Sequence, residues 1–241
     1  MTEEIWQKKD MPSVRCRITE NTIIRQPLTS GLEPGFRLAM RMTPLANGAD
    51  KERRITKKEE EEMFVRKMQI GVMGSAADLG YTQEVQRLAE EVGTIAALCA
   101  CTVVFGAEKD GDSLSTAAGR GARSAGGLTV GVTYGKGLKV FDEADVVITC
   151  GAERGGPRES VLVLSCDAII CISGGSGTLT EMLVAYQADI PIVALVGTGG
   201  WSDEMAGKFF DRRKRQLVRP AKTPKEAVEA AIRAIQEQGG H

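Results

Sequence analysis

An α/β domain built on a doubly wound parallel sheet, preceded by an N-terminal extension, is the fold this 241-residue sequence predicts. Three observations carry it. Short apolar runs alternate with helix-period segments from Met68 onward. Two early runs end in Gly74-Ser75 and Gly106, the residues of tight strand exits. A late run leads through Ser173-Gly174-Gly175-Ser176-Gly177-Thr178-Leu179-Thr180-Glu181 into a helix. Strands and helices in this rhythm form a parallel sheet covered on both faces.

Taken in order, residues 69–75 form an apolar strand ending in small residues. Residues 83–98 form an amphipathic helix, with Val85, Leu88, Ala89, Val92, Ile95 and Ala96 near one face. A second strand covers 102–106, and a helix of small residues covers 113–125. Strands follow at 128–132 and 146–149, then a helix at 158–164 and a strand at 168–172. The helix through Met182 and Tyr186 precedes a strand at 191–196. Near the end, Thr223 caps a helix whose first position is Pro224. The expected sheet has six or seven strands within residues 68–236, and the domain spans 67–241.

Residues 1–66 differ in texture. They carry Pro12, Pro27, Pro34 and Pro44, then an almost wholly charged run over 51–66. Weak alternation at 13–18 and 21–25 suggests short edge strands. Residues 57–64 suggest a solvated helix with opposite charges at i,i+4. The extension is either a cover or oligomer contact, or a disordered tail.

Composition bounds the function. A chain that is 42% hydrophobic buries a full core. A net charge of −1 gives no field favouring nucleic acid or an anionic membrane. No apolar stretch reaches membrane-spanning length, and Met1-Thr2-Glu3-Glu4 opens no signal peptide. Six cysteines without a CxxC pair fit reduced thiols in a cytoplasmic protein. The single histidine is the last residue, His241, so histidine-based nucleophilic or metal sites are not expected, and no metal is predicted.

The chemistry therefore falls on the glycine stretch. Its glycines bring backbone N–H groups against a ligand at the positive end of a helix, which suits a phosphate. It is no P-loop, because Thr178-Leu179 follow Gly177 where Lys-Ser/Thr belongs. It also comes too late in the domain for a dinucleotide fingerprint. The same residues also suit a plain glycine turn and helix cap. In doubly wound sheets ligands lie at the carboxyl ends of the strands. That edge gathers Gly74, Ser75, Gly106, the loop before Arg158 and the cradle residues Gly174, Gly175, Ser176, Gly177 and Thr178. Arg158 and Glu181 stand beside it, either as site residues or as a surface ion pair joining two helices.

The cradle resembles the Pro-Gly-Gly-x-Gly-Thr-x-x-Glu signature of the lonely-guy family, once labelled lysine decarboxylases, with Ser173 in place of the proline. Arg158, nine residues before Asp167, stands at the spacing of that family's active-site arginine. The later stretch Val196-Gly197-Thr198-Gly199-Gly200-Trp201-Ser202-Asp203 is similar to a bacterial and archaeal branch of the same Rossmann-like superfamily. That superfamily also includes molybdenum-cofactor carrier proteins. The resemblance runs from about Met68 to Ile235.

The resemblance implies two functions. One is hydrolysis of the N-glycosidic bond of a nucleoside 5′-monophosphate, giving base and ribose 5-phosphate without a required cofactor. Arg158 and Glu181 would be catalytic, and the cradle amides would hold the phosphate. The other is non-catalytic carriage of a phosphorylated ligand such as molybdenum cofactor. Nothing supports a pyridoxal-binding lysine. The second loop departs from the enzymes' glycine-rich pattern, since Ala107-Glu108-Lys109-Asp110-Gly111 follow Gly106. The family also implies a homodimer or higher homo-oligomer, with Met182 and Tyr186 as candidate contacts.

Overall fold

The computed structural model describes residues 66–109, 111–151 and 157–239. The strand and helix expectations at 13–18, 21–25 and 57–64 lie outside these residues, as does His241.

Seven strands form one sheet: β1 (Gln69–Gly74), β2 (Thr102–Gly106), β3 (Thr129–Thr133), β4 (Val146–Thr149), β5 (Ala168–Ile172), β6 (Ile192–Leu195) and β7 (Arg219–Ala221). Their order is β4-β3-β2-β1-β5-β6-β7, and every pairing is parallel. Six helices connect or follow them: α1 (Gln83–Leu98), α2 (Leu114–Ser124), α3 (Arg158–Leu164), α4 (Ser176–Gln187), α5 (Gly200–Met205) and α6 (Pro224–Gln238). A short 3₁₀ turn, Ala77–Leu79, follows β1. None of the described helices is long and apolar enough to cross a membrane.

The chain lays strands outward from β1 to β4, then returns to place β5 on the other side of β1. The direction therefore reverses between β1 and β5, where loops diverge and leave a crevice at the strand ends. Residue pairing is in register across that seam, with Gly74 opposite Ile172. The central strands β2 and β5 are buried at every position, as continuous apolar runs in parallel sheets should be.

Helices α1, α2 and α6 pack together on one side, and α3 and α4 on the other. The small residues of α2 let it lie backbone-to-backbone on α1. A Cβ on Gly93 would stand 2.7 Å from the Ala118 carbonyl carbon, and one on Gly121 equally near that of Glu90. On the opposite side Met73, Val104, Leu162, Ile169, Met182 and Ile192 belong to one apolar core. The expected Thr223 cap is present, its Oγ1 accepting the Glu226 N–H, and Ser113 forms a capping box with Thr116. Arg66 already belongs to this body, since Nη2 lies 2.6 Å from Asp167 Oδ1. Cys150, Cys166 and Cys171 form no disulfide.

Candidate functional site

The cradle lies where β5 leads into α4, at the point of reversal. Gly174 adopts φ +101°, and the backbone then turns at the helix N-cap, Gly175. No side chain caps α4. The first-turn N–H groups of a helix need partners from outside the helix, and here they carry the positive end of a twelve-residue dipole. Gly177 opens onto space, with no atom within 4 Å of where a Cβ would project. Thr178 is buried, while Ser176 and Gly177 are exposed.

Two neighbours hold the loop in shape. Ser75 Oγ accepts the Gly174 N–H at 2.8 Å and donates to Ser173 Oγ at 3.1 Å. Thr198 Oγ1 accepts the Ser173 N–H at 2.8 Å. The carbonyls of Ser173 and Gly174 in turn accept the N–H groups of Ser202 and Trp201, at the start of α5. The second glycine stretch thus clamps the cradle from behind. Ser173 itself adopts φ +55°, which a proline ring cannot reach. This chain enters its cradle by a different backbone path from the proline signature, and that path is pinned rather than loosened.

Glu181, one turn into α4, points inward and meets Arg158. The pair is not a surface ion pair: the side chains are 7% and 6% exposed, with Nη1 and Oε1 3.5 Å apart. Each guanidinium nitrogen has a protein partner. Nε donates to the Val132 carbonyl at 3.3 Å, Nη1 to Tyr134 and Glu181, and Nη2 to Glu108 Oε1 at 3.3 Å. The guanidinium also lies 4.6 Å from the centre of the Tyr134 ring. Glu159 adds a third carboxylate, accepting the Tyr134 hydroxyl at 2.8 Å.

One cation among three carboxylates leaves Glu181 hard to ionise. Burial pushes its pKa up to about 7; Arg158 opposes that, and Glu159 and Glu108 reinforce it. Burial likewise raises the Tyr134 hydroxyl, an effect that Arg158 opposes and Glu159 reinforces. Glu181 is thus a carboxyl poised near neutrality, suited to proton transfer or to a neutral hydrogen bond.

A cleft of about 520 Å³ opens beside this network, lined by Ala76, Asp78, Glu108, Lys109 and Tyr134 among others. The turn Ala77–Leu79 borders both regions, since it lines the cleft and Leu79 packs against Gly175. The described residues include no group of His, Cys, Asp and Glu arranged to hold a metal ion.

Ser75, Gly174, Gly175, Ser176, Gly177, Thr178, Arg158 and Glu181 therefore gather at one edge. Two of the expected ligand-binding glycines have packing roles. Gly74 faces α2, where a Cβ would stand 2.7 Å from Leu114 Cβ. Gly106 makes room for the Arg158 guanidinium. The Gly174 amide is occupied by Ser75, whereas no side chain caps the first turn of α4. Met182 and Tyr186 lie in the core at 0% and 2% exposure and do not form a contact surface. The exposed apolar side chains on α3 and α4 are Leu164 and Leu183. Sequence reading missed Tyr134 and Glu159 altogether and noted Glu108 only as a departure.

The comparisons with known proteins agree with this geometry. A 31% identical relative, an uncharacterised protein of Archaeoglobus fulgidus, aligns over 53% of this chain and 80% of its own length. The molybdenum cofactor carrier protein of Chlamydomonas reinhardtii superposes with a TM-score of 0.61 at 27% identity, over 71% of this chain and 99% of that one. The molybdenum cofactor binding protein of Rippkaea orientalis gives 0.58 at 29% identity, over 73% and 99%. The model of the SLOG cluster4 family matches residues 67–228, and with its pinned glycine cradle and buried Arg158–Glu181 pair the chain belongs to that lonely-guy-like family.

Proposed function

We propose that this protein binds a phosphorylated, nucleotide-like ligand and carries it without turning it over, with the phosphate on the first turn of α4. The observation that supports it most is the uncapped helix N-terminus opening at Gly177, beside a cleft of small-ligand size. Molybdenum cofactor fits the same requirement, since its phosphate needs only the cradle amides and its ring system needs a cleft. The likeness to two proteins described as molybdenum cofactor carriers or binders adds support. Carriage is favoured over catalysis because every guanidinium nitrogen of Arg158 already has a protein partner and Glu181 is 5% exposed.

A second reading, N-glycosidic hydrolysis of a nucleoside 5′-monophosphate, draws on one observation. Glu181, with its pKa pushed up to about 7, lies one helical turn from the cradle. Arg158 would then hold it in place, and Glu181 would stabilise an oxocarbenium-like ribosyl or orient water. A homo-oligomer, if formed through the α3–α4 layer, would use Leu164 and Leu183.

The deciding experiment incubates the purified chain with a panel of nucleoside 5′-monophosphates and a phosphorylated pterin. Bound ligand and free base are then measured by chromatography. Ligand recovered intact from the protein supports carriage. Release of free base replaces carriage with hydrolysis, and finding neither retained ligand nor free base removes both.

A further inference from the structure

The second loop is the feature that the cradle does not explain. In place of glycines it sets Glu108 against the cleft, and the structure holds that side chain firmly. Its backbone carbonyl accepts the Phe141 N–H at 2.5 Å, tying it to the segment between β3 and β4. Its Oε1 lies 3.3 Å from Arg158 Nη2, and its side chain keeps 19% exposure. Among the described residues, none donates a hydrogen bond to Oε2. Beside it in the cleft wall is Tyr134, whose ring is fixed by Arg158 and whose hydroxyl is fixed by Glu159.

A carboxylate carries about four lone-pair sites and, unprotonated, no donor. With one site used by Arg158, Glu108 can accept two parallel N–H bonds from a ligand edge. We infer that the cleft takes the heterocycle of the cradle's ligand and that Glu108 selects a 2-amino-4-oxopyrimidine edge, as guanine and pterins present. Both rings place a ring N–H next to an exocyclic amino group, two donors matched to one carboxylate. Hypoxanthine has the ring N–H without the amino group. Adenine turns an unprotonated ring nitrogen towards the carboxylate, so acceptor meets acceptor. The selection is rigid because these contacts on Glu108 and Tyr134 exist before the ligand arrives.

This inference rests on the cradle reading, so its test separates the two. Calorimetric titration of the full chain compares GMP, IMP, AMP, a 6-hydroxymethylpterin phosphate and ribose 5-phosphate. Wild type should bind GMP or the pterin phosphate roughly ten- to a hundredfold more tightly than IMP, with AMP weakest, the range for hydrogen bonds to a charged group. Glu108→Gln, checked for an unchanged melt, should bring the preferred ligand to the level of IMP. A stronger response to GMP identifies a nucleotide, and a stronger response to the pterin phosphate identifies a pterin; either supports the selection. Equal binding of all the phosphates by wild type overturns the role of Glu108 and leaves the cradle standing. No binding by any of them, ribose 5-phosphate included, overturns both.

Discussion

Gly106 and Arg158 fit only as a pair. A Cβ on Gly106 would stand 2.8 Å from Arg158 Cζ and closer still to Nη2. The guanidinium lies against the end of β2 because that strand ends without a side chain. Gly106→Ala should therefore cost about 1–3 kcal/mol as overpacking and push Arg158 off Val132 and Glu181. Arg158→Ala should cost about 3–5 kcal/mol, since Glu181, Glu159 and Glu108 lose their shared cation. In the double variant the alanine at 106 has nothing left to strike, so the two costs should fall short of additive by about 1 kcal/mol. Urea midpoints of the four proteins measure this; strict additivity would falsify the pairing.

Ser173 gives a second test, because the family signature suggests the wrong residue for this backbone. At φ +55°, with its N–H donated to Thr198 Oγ1, it occupies a conformation closed to proline on two counts. Ser173→Pro should therefore destabilise by about 3 kcal/mol or more, although it restores the signature. Thr198→Val should cost about 1–3 kcal/mol by leaving the Ser173 N–H unpaired. Thermal melts decide it. A proline variant as stable as wild type means that the loop takes the signature's path instead.

Much of the fold was legible because it follows from local patterns. The bounds of α1, β4 and β5 follow from periodicity and apolar runs, and the last helix from Thr223 and Pro224. β7 was not legible: three residues with Pro220 at their centre carry little strand signal, and the proline is tolerated because β7 is an edge paired only to β6. α5 was also missed, since its six residues are fixed by carbonyls far back in the chain, where Ser202 and Trp201 meet Ser173 and Gly174. The same physics governs the site. Glycines beside a strand announced the cradle, but Tyr134 reaches Arg158 and Glu159 through tertiary packing that no spacing encodes.

Stability should depend on pH through Glu181. Its folded pKa is raised to about 7 from the ordinary 4.5, chiefly by burial. Between those values the folded protein holds a proton that the unfolded chain has lost, so stability falls as pH rises through this window. The contribution is fully present below about pH 4.5 and gone above about pH 7, on the order of a few kcal/mol. Glu181→Gln cannot ionise and should flatten the slope between pH 5 and 7.5. Denaturant midpoints across that range measure it. An unchanged slope in the glutamine variant assigns the titration to another group.

The cradle itself is tested by contrasting two of its glycines. At Gly177 a side chain would enter open space on the first turn of α4, where a phosphate would rest. Gly177→Leu should leave the melting temperature within a few degrees of wild type, since nothing is struck and a helix position gains a better helix former. It should weaken ribose 5-phosphate binding at least tenfold by filling the space in front of the amides. At Gly174 the position is reversed. φ is +101°, and a Cβ would stand 2.5 Å from Thr178 Cβ, so Gly174→Ala should cost about 1–3 kcal/mol and lower the melt. Loss of binding with an intact fold at 177, set against loss of stability at 174, is the signature of an anion site built on a strained turn. If the leucine variant binds ribose 5-phosphate as tightly as wild type, the phosphate does not sit on α4.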